Sequence, residues 1–266
     1  MSDSGDSFWG RTEESEFSYV VTVPGTSRQV SLSAVQDRKI CAGTPKFPSH
    51  GHCVWDAALL LADYLQTKAK DVSQSTGDNE EEERFCFRGK KVAELGAGVG
   101  LVGMTLAVLG ARVVLTDQKY ALPLLTKNVT VNFVGQGEGG PSALTDAVAP
   151  TVEECQWGEP FKSGGCLAAW AKSTDMVVFS DVLYHASAYM LLMKTLHGLS
   201  SPATDVFFSF ETRNAVIEAN FLQQMRKTYS VEEVSRNNNR QVFANFEYPD
   251  ELFIYHAHLK PDTNGK

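Results

Sequence analysis

The chain has 266 residues, of which 43% are apolar and 21% charged, with a formal net charge of −8 and five cysteines. That length buries a sizeable core and favours a single α/β domain with appended segments. The acidic balance argues against the clustered Lys and Arg of a nucleic-acid footprint. No apolar run approaches the ~20 residues that span a bilayer, and an odd set of cysteines without a CxxC pair points to free thiols in a reducing compartment, cytosolic or nucleocytoplasmic.

Residues 1–15 hold few apolar side chains and read as a disordered tail, with no apolar h-region of a secretory signal. An N-terminal extension over 16–52 comes next. It comprises strands at Phe17–Val23 and Gln29–Leu32 joined by Pro24-Gly25, then a proline-punctuated loop at Gly43–Gly51. The main domain spans 53–266. In Val54–Gln66 the residues Trp55, Ala58, Leu59, Ala62 and Leu65 recur at helical spacing, so most of this helix is core. Trp55, in its first turn, faces either that core or a ligand. Residues 71–83 form an acidic insert ending in four glutamates and read as a solvated loop.

The stretch KKVAELGAGVGLVG, from Lys90 to Gly103, organises the rest of the chain. Val92, Ala93 and Leu95 read as a buried strand, Gly96, Gly98 and Gly100 permit a tight turn, and Leu101, Met104, Val108 and Leu109 open a helix ending at Gly110. Strand, glycine turn, helix is the entry of a nucleotide-binding α/β unit. Gly98-Val-Gly100-Leu-Val-Gly103 fits a dinucleotide fingerprint, and Glu94-Leu-Gly96-Ala-Gly98-Val-Gly100 fits a turn for S-adenosylmethionine. Either ligand wants an acidic residue after the next strand, Arg112–Thr116, and Asp117 supplies it.

The remaining elements alternate. A helix at Tyr120–Phe133 leads to a glycine-rich loop at Gly135–Gly140, and a strand at Val152–Cys155 runs into Gln156-Trp157-Gly158. The β-rich strand Thr174–Ser180 ends at Asp181 and precedes a helix at Ala188–Leu199. Next come the apolar strand Asp205–Phe210, a helix at Asn214–Lys227 and strands at Ser230–Ser235 and Leu252–Leu259. This alternation specifies a doubly wound sheet, whose ligands bind outside the strand carboxyl ends where strand order reverses. If the strand after the crossover lies beside the glycine-turn strand, Ser180, Asp181 and Tyr184 face Gly96–Gly100 across that crevice. No Tyr-x-x-x-Lys pair serves a dehydrogenase, whereas Glu94, Asp117, Asp181, Trp55 and Trp157 suit a sulfonium cation.

Val54-Trp55-Asp56-Ala57-Ala58, FRGKKVAELGAGVGLVG, RVVLTD, QWGE and SDVLYH, in that order and spacing, resemble the seven-β-strand protein-lysine methyltransferases. The group most similar contains enzymes that modify Hsp70-type chaperones, valosin-containing protein or translation elongation factor 1A. The resemblance covers Val54–Leu199 well and continues weakly to the final strand. It implies a Rossmann-like doubly wound sheet of seven strands with the last antiparallel, S-adenosylmethionine as cofactor, and a lysine of a protein substrate as acceptor. Neither nucleic acid nor membrane is implied as a partner, and the enzyme is taken as a monomer. Trp55, Glu94, Gly96, Ala97, Gly98 and Gly100 would then contact the cofactor, Asp117 its ribose, and Trp157 its adenine. Ser180 would line the pocket, and Asp181 and Tyr184 the lysine entrance. Glu211 and Arg213 would sit near the substrate or serve the following helix. Val99 stands where many members have Thr. The pairs His50/His52 and His256/His258 complete no four-ligand metal set and read as structural or surface groups; His185, beside Tyr184, is better placed to touch substrate.

Overall fold

The computed structural model describes residues 13–41, 50–74, 80–134 and 147–261. The expected tail up to residue 12, the proline-punctuated loop up to residue 49 and the glycine-rich loop at 135–140 lie outside the described residues.

An antiparallel hairpin of β1 (Glu16–Thr22) and β2 (Gln29–Val35) precedes the main sheet. It turns at Pro24-Gly25, where Gly25 takes the positive φ of 70° that such a turn needs. The seven-stranded sheet is built from β3 (Lys91–Leu95), β4 (Arg112–Asp117), β5 (Thr151–Glu154), β6 (Met176–Ser180), β7 (Asp205–Glu211), β8 (Tyr229–Glu233) and β9 (Leu252–Leu259). Their order across the sheet is β5-β4-β3-β6-β7-β9-β8. All neighbours are parallel except β9, which runs antiparallel to both β7 and β8. The seven-stranded, doubly wound reading therefore holds, with the final strand reversed.

The helices are α1 (Asp56–Gln74), α2 (Glu80–Phe85), α3 (Leu101–Val108), α4 (Leu122–Phe133), α5 (Cys166–Trp170), α6 (Tyr189–Leu199), α7 (Ala215–Thr228) and α8 (Arg240–Phe243). Period-two alternation in the strands sorts them into two layers. Val92, Met176, Val178 and Phe207 point toward α1, α3 and α4, while Ala93, Val177, Phe179 and Phe208 point toward α5, α6 and α7. Helix α3 is buried at every position, so it carries no amphipathic stripe; it is wrapped by α1, β2 and the sheet. The acidic segment 71–83, expected as a loop, is helical at both ends, where Gln74 closes α1 and Glu80 opens α2. Among the described residues no helix is long and apolar enough to cross a membrane.

The hairpin is tied to the domain through two amides. Asn128 and Asn132 sit one turn apart on α4, a rise of roughly 6 Å, close to the roughly 6.8 Å between alternate residues of a strand. Each can therefore act as an extra strand residue along β2. Asn132 Oδ1 accepts from Ser33 N–H at 2.8 Å and its Nδ2 donates to Ser33 C=O at 2.7 Å. Asn128 repeats this at Val35, at 2.8 and 3.2 Å, and also donates to Val99 C=O at 3.0 Å. Replacing Asn132→Leu leaves the Ser33 backbone groups without their partners and should lower stability by about 2 kcal/mol or more. Thr130→Ala, on the exposed face of the same helix, should change it by less than about 0.5 kcal/mol. Urea unfolding of the two variants compares them directly.

Candidate active site

Strand order reverses between β3 and β6, and a cavity of about 200 Å³ opens at their carboxyl ends. Its floor is the turn after β3. Gly96, Gly98 and Gly100 have φ of 68°, 54° and 85°, values that side chains rarely adopt. A Cβ at Gly96 would also lie 2.8 Å from the Val182 side chain and 3.3 Å from the Trp157 ring, so the turn has no room for one. Asp117, at the end of β4, clamps this turn: Oδ2 accepts from Gly98 N–H at 2.8 Å and Oδ1 from Gln118 N–H at 2.7 Å. Burial pushes its carboxyl above the usual range, against the pull of those two N–H groups.

Gly96, Ala97, Gly98, Asp117, Trp55, Trp157, Ser180, Asp181 and Tyr184 all line the one cavity. Glu94 and Gly100, expected against the cofactor, are not among the lining residues. Glu94 points from β3 into the protein, and its Oε2 accepts from Gly103 N–H at 2.8 Å, fixing the first turn of α3. Gly100 caps α3, with a built Cβ only 2.6 Å from Leu125. Both act from behind the turn: Glu94 shares with Val92 the face of β3 that packs on α3, and Gly100 opens that helix.

The opposite wall begins at the end of β6. Asp181 has a positive φ of 53° while its N–H still bonds Ser209 C=O at 2.9 Å, so the chain swings out of the sheet at this residue. Its side chain is only 5% exposed and its Oδ1 lies 2.6 Å from Arg213 Nη1. Arg213 also binds Glu211 at 2.8 Å, and its guanidinium lies 5.0 Å from the Trp55 ring centre. Burial opposes the charge on Arg213, but Asp181, Glu211 and Glu218 outweigh it and hold its pKa up. The residue is fixed in place by the start of α7. Glu218 accepts the backbone N–H of Arg213 and Asn214 at 2.8 and 2.9 Å, and the Asn214 side chain accepts from Ile217 N–H. Asp181 caps no helix: the turn Ala186–Ala188 follows His185 without a side-chain cap.

The roof comes from the segment before α1. Trp55 Nε1 donates to His50 C=O at 2.8 Å, and Gly51 packs its backbone against Gly98. His50, Tyr184 and His185 cluster at the mouth, with ring centres 4.9 Å apart for His50–Tyr184 and for Tyr184–His185. Burial, then His185 and Arg213, hold the His50 pKa below its usual value, so the ring is uncharged near neutrality. The Tyr184 phenol is pushed up to about 12 by burial and by the carboxylates of Asp117 and Asp181. Sequence reasoning missed His50, Gly51, Cys53, Tyr120 and Cys155 as lining residues. The one signal available was the glycine between His50 and His52, where a loop backbone approaches the turn closely.

The cavity thus offers backbone N–H and glycine surface, one carboxylate at the turn and two indoles, facing a second carboxylate and a neutral phenol. That set fits a nucleoside carrying a cationic centre.

Comparison with known proteins agrees. A family model described as lysine methyltransferase matches residues 37–228. The chain is 32% identical over 190 residues to EEF1A lysine methyltransferase 3 of Xenopus tropicalis, covering 71% of this chain and 70% of that protein. It is 34% identical over 192 residues to protein N-lysine methyltransferase METTL21A of Danio rerio, covering 71% and 73%. In fold it is similar to a 16S rRNA methyltransferase of T. thermophilus solved with AdoMet and guanosine. That match has a TM-score of 0.52 at 14% identity over 93% of this chain, and the chain spans about half (51%) of that larger protein.

Glu94 sets a pH dependence of stability. Unfolded, it loses its proton near 4.5; folded, burial and the Asp117 charge raise it to about 8, with the Gly103 N–H opposing. Between those values the native state holds the extra proton, so stability falls as pH rises through the window and levels off above it. Glu94→Gln keeps the acceptor for Gly103 without the charge. Urea unfolding at pH 5 and pH 8 should show wild type losing more stability over that interval than the variant.

Proposed function

The chain belongs to the lysine methyltransferase family, and from that premise we propose that its acceptor is a lysine on a folded or assembly-bound non-histone protein of chaperone, AAA-ATPase or elongation-factor type. The enzyme transfers methyl from S-adenosylmethionine to a protein lysine. What supports the acceptor class is the naming of an elongation-factor enzyme among the relatives. A single observation carries the residue assignment: Asp181 and Tyr184 share one cavity with the glycine turn, facing Gly96 and Gly98.

When bound, S-adenosylmethionine supplies an electrophilic methyl on a sulfonium. In our reading Gly96, Ala97 and Gly98 would hold its methionine portion, Asp117 its ribose hydroxyls, and Trp55, Trp157 and Ser180 the remaining walls. Tyr184 would guide the lysine side chain through the mouth as a neutral hydrogen-bonding phenol. Asp181 would orient the amine and accept its hydrogen bond: one oxygen meets Arg213, and a carboxylate has acceptor capacity beyond that. Since displacement from a sulfonium needs no covalent help, alignment of amine and methyl is the main contribution of these residues. We place the enzyme in a reducing setting, cytosolic or nucleocytoplasmic, which its five free thiols support, and take it to act as a monomer.

The test is transfer of labelled methyl from S-adenosylmethionine into an extract of cells lacking the protein, followed by mass spectrometry of labelled bands. Asp181→Asn is the companion variant, because Asn tolerates the left-handed backbone that Ala does not. Wild type should label one or a few proteins on lysine, and the variant should lose roughly 100-fold in rate while calorimetry shows cofactor affinity within about threefold. Label on histidine, or on a small molecule, overturns the acceptor. Equal rates for the two proteins overturn the role of Asp181.

A further inference from the structure

At the amino end of β7, on the rim of the sheet opposite the cavity, Asp205 meets His256 and His258 of β9. Strand β9 runs antiparallel to β7 with Val206 opposite Ala257, which puts Asp205 beside the two histidines. His256 and His258 are two residues apart in one strand and therefore share a face. Their rings lie 4.5 Å apart centre to centre, and both Nε2 atoms converge on Asp205 Oδ1, at 2.7 and 3.3 Å. The three ligand atoms all fall within 4.8 Å of one another, and this is the only such group among the described residues.

Three side-chain nitrogens gather on this one carboxylate oxygen. Asp205 already has a charge partner, because Arg84 Nε reaches the same oxygen at 2.9 Å. Two imidazole nitrogens and one carboxylate oxygen form a ligand set for a divalent ion.

We propose that Asp205, His256 and His258 bind a first-row divalent metal ion of the zinc type, with water at the fourth position. Tetrahedral zinc ligands lie roughly 3.4 Å apart for bonds of about 2.1 Å. Admitting the ion therefore opens the Asp205–His256 contact by less than about 1 Å. His258 is 35% exposed at its side chain, which gives the ion an entry path. Arg84 is the outer partner that orients the ligating carboxylate, and through it the ion would join α2 to the β7–β9 pair. Asp205 stands six residues before Glu211, roughly 20 Å from the cavity end of the same strand. The site is accordingly a structural staple, separate from methyl transfer and independent of the acceptor assignment.

Titration of chelator-treated full-length protein with zinc chloride and, separately, cobalt chloride tests this. One ion should bind per chain, with a rise in melting temperature. The cobalt form should show visible ligand-field absorption without a thiolate charge-transfer band. His258→Gln and His256→Gln should each weaken zinc binding at least tenfold while leaving the circular dichroism of the metal-free protein and its cofactor affinity unchanged. If either variant misfolds, the cobalt spectrum of wild type still decides. No saturable binding by wild type overturns the proposal. So does binding unaffected by both variants, or a thiolate band, either of which would place the ion on cysteines or on His50 and His52 instead.

Discussion

Two buried carboxyl groups hold backbone N–H groups in place, and the rest of the site depends on that. A turn with three glycines in five residues has more conformational freedom than any other kind of segment and loses the most on ordering. Asp117 reaches from the end of β4 to Gly98, and Glu94 reaches from within β3 to Gly103, so both the turn and the helix behind it are fixed from the protein side. Because a carboxylate has about four acceptor sites and Asp117 spends two on backbone, it keeps capacity for ribose hydroxyls. Glu94 spends its effect inside, which is why an acidic residue can sit at a cofactor turn without touching the cavity.

The facing wall is assembled from four separated parts of the chain, and each is set by a local rule. Asp181 leaves the sheet through a left-handed residue, Arg213 is anchored by the capping hydrogen bonds of α7, Trp55 precedes α1, and Trp157 follows β5. Ser209 Oγ donates to Ala57 C=O at 2.6 Å, linking β7 to the start of α1 and so holding the roof in register with the wall. None of these contacts is strong alone. Their common effect is to leave few rotamers to the groups that must align an amine with a methyl.

The sheet was legible in the sequence because buried parallel strands are short apolar runs, as in MVVFS and DVFFSF, and because glycine spacing has a backbone cause. Asp181 and Tyr184 were legible as the residues that follow such a strand at a predicted topological switch. Helices α2, α5 and α8 were not: they span six, five and four residues, too few to show a helical period. The roles of His50 and Tyr120 were hidden for another reason. They reach the cavity through the folding of a loop over the turn, with the His50 backbone N–H on the Tyr120 phenol, and no periodic pattern encodes that. Spacing assigned Glu94 to the turn motif without stating which way its side chain turns, and the structure turns it onto the Gly103 N–H.

Arg213 changes what Asp181 does. A buried carboxylate without a counter-ion would draw the lysine in as an ammonium and stabilise the proton that must leave. Bringing an amine from about 10.4 to about 7.4 takes roughly 4 kcal/mol. A unit positive charge about 6 Å away contributes on the order of 3 kcal/mol toward that at an effective dielectric near 20, and desolvation in a narrow channel contributes in the same direction. With Arg213 paired to both Asp181 and Glu211, one of the two carboxylate charges is cancelled while the acidic wall retains its hydrogen-bond acceptors. Under the proposed lysine chemistry, that pairing weakens the wall's hold on the ammonium, and desolvation in the channel supplies the remaining shift toward the neutral amine whose lone pair attacks the methyl.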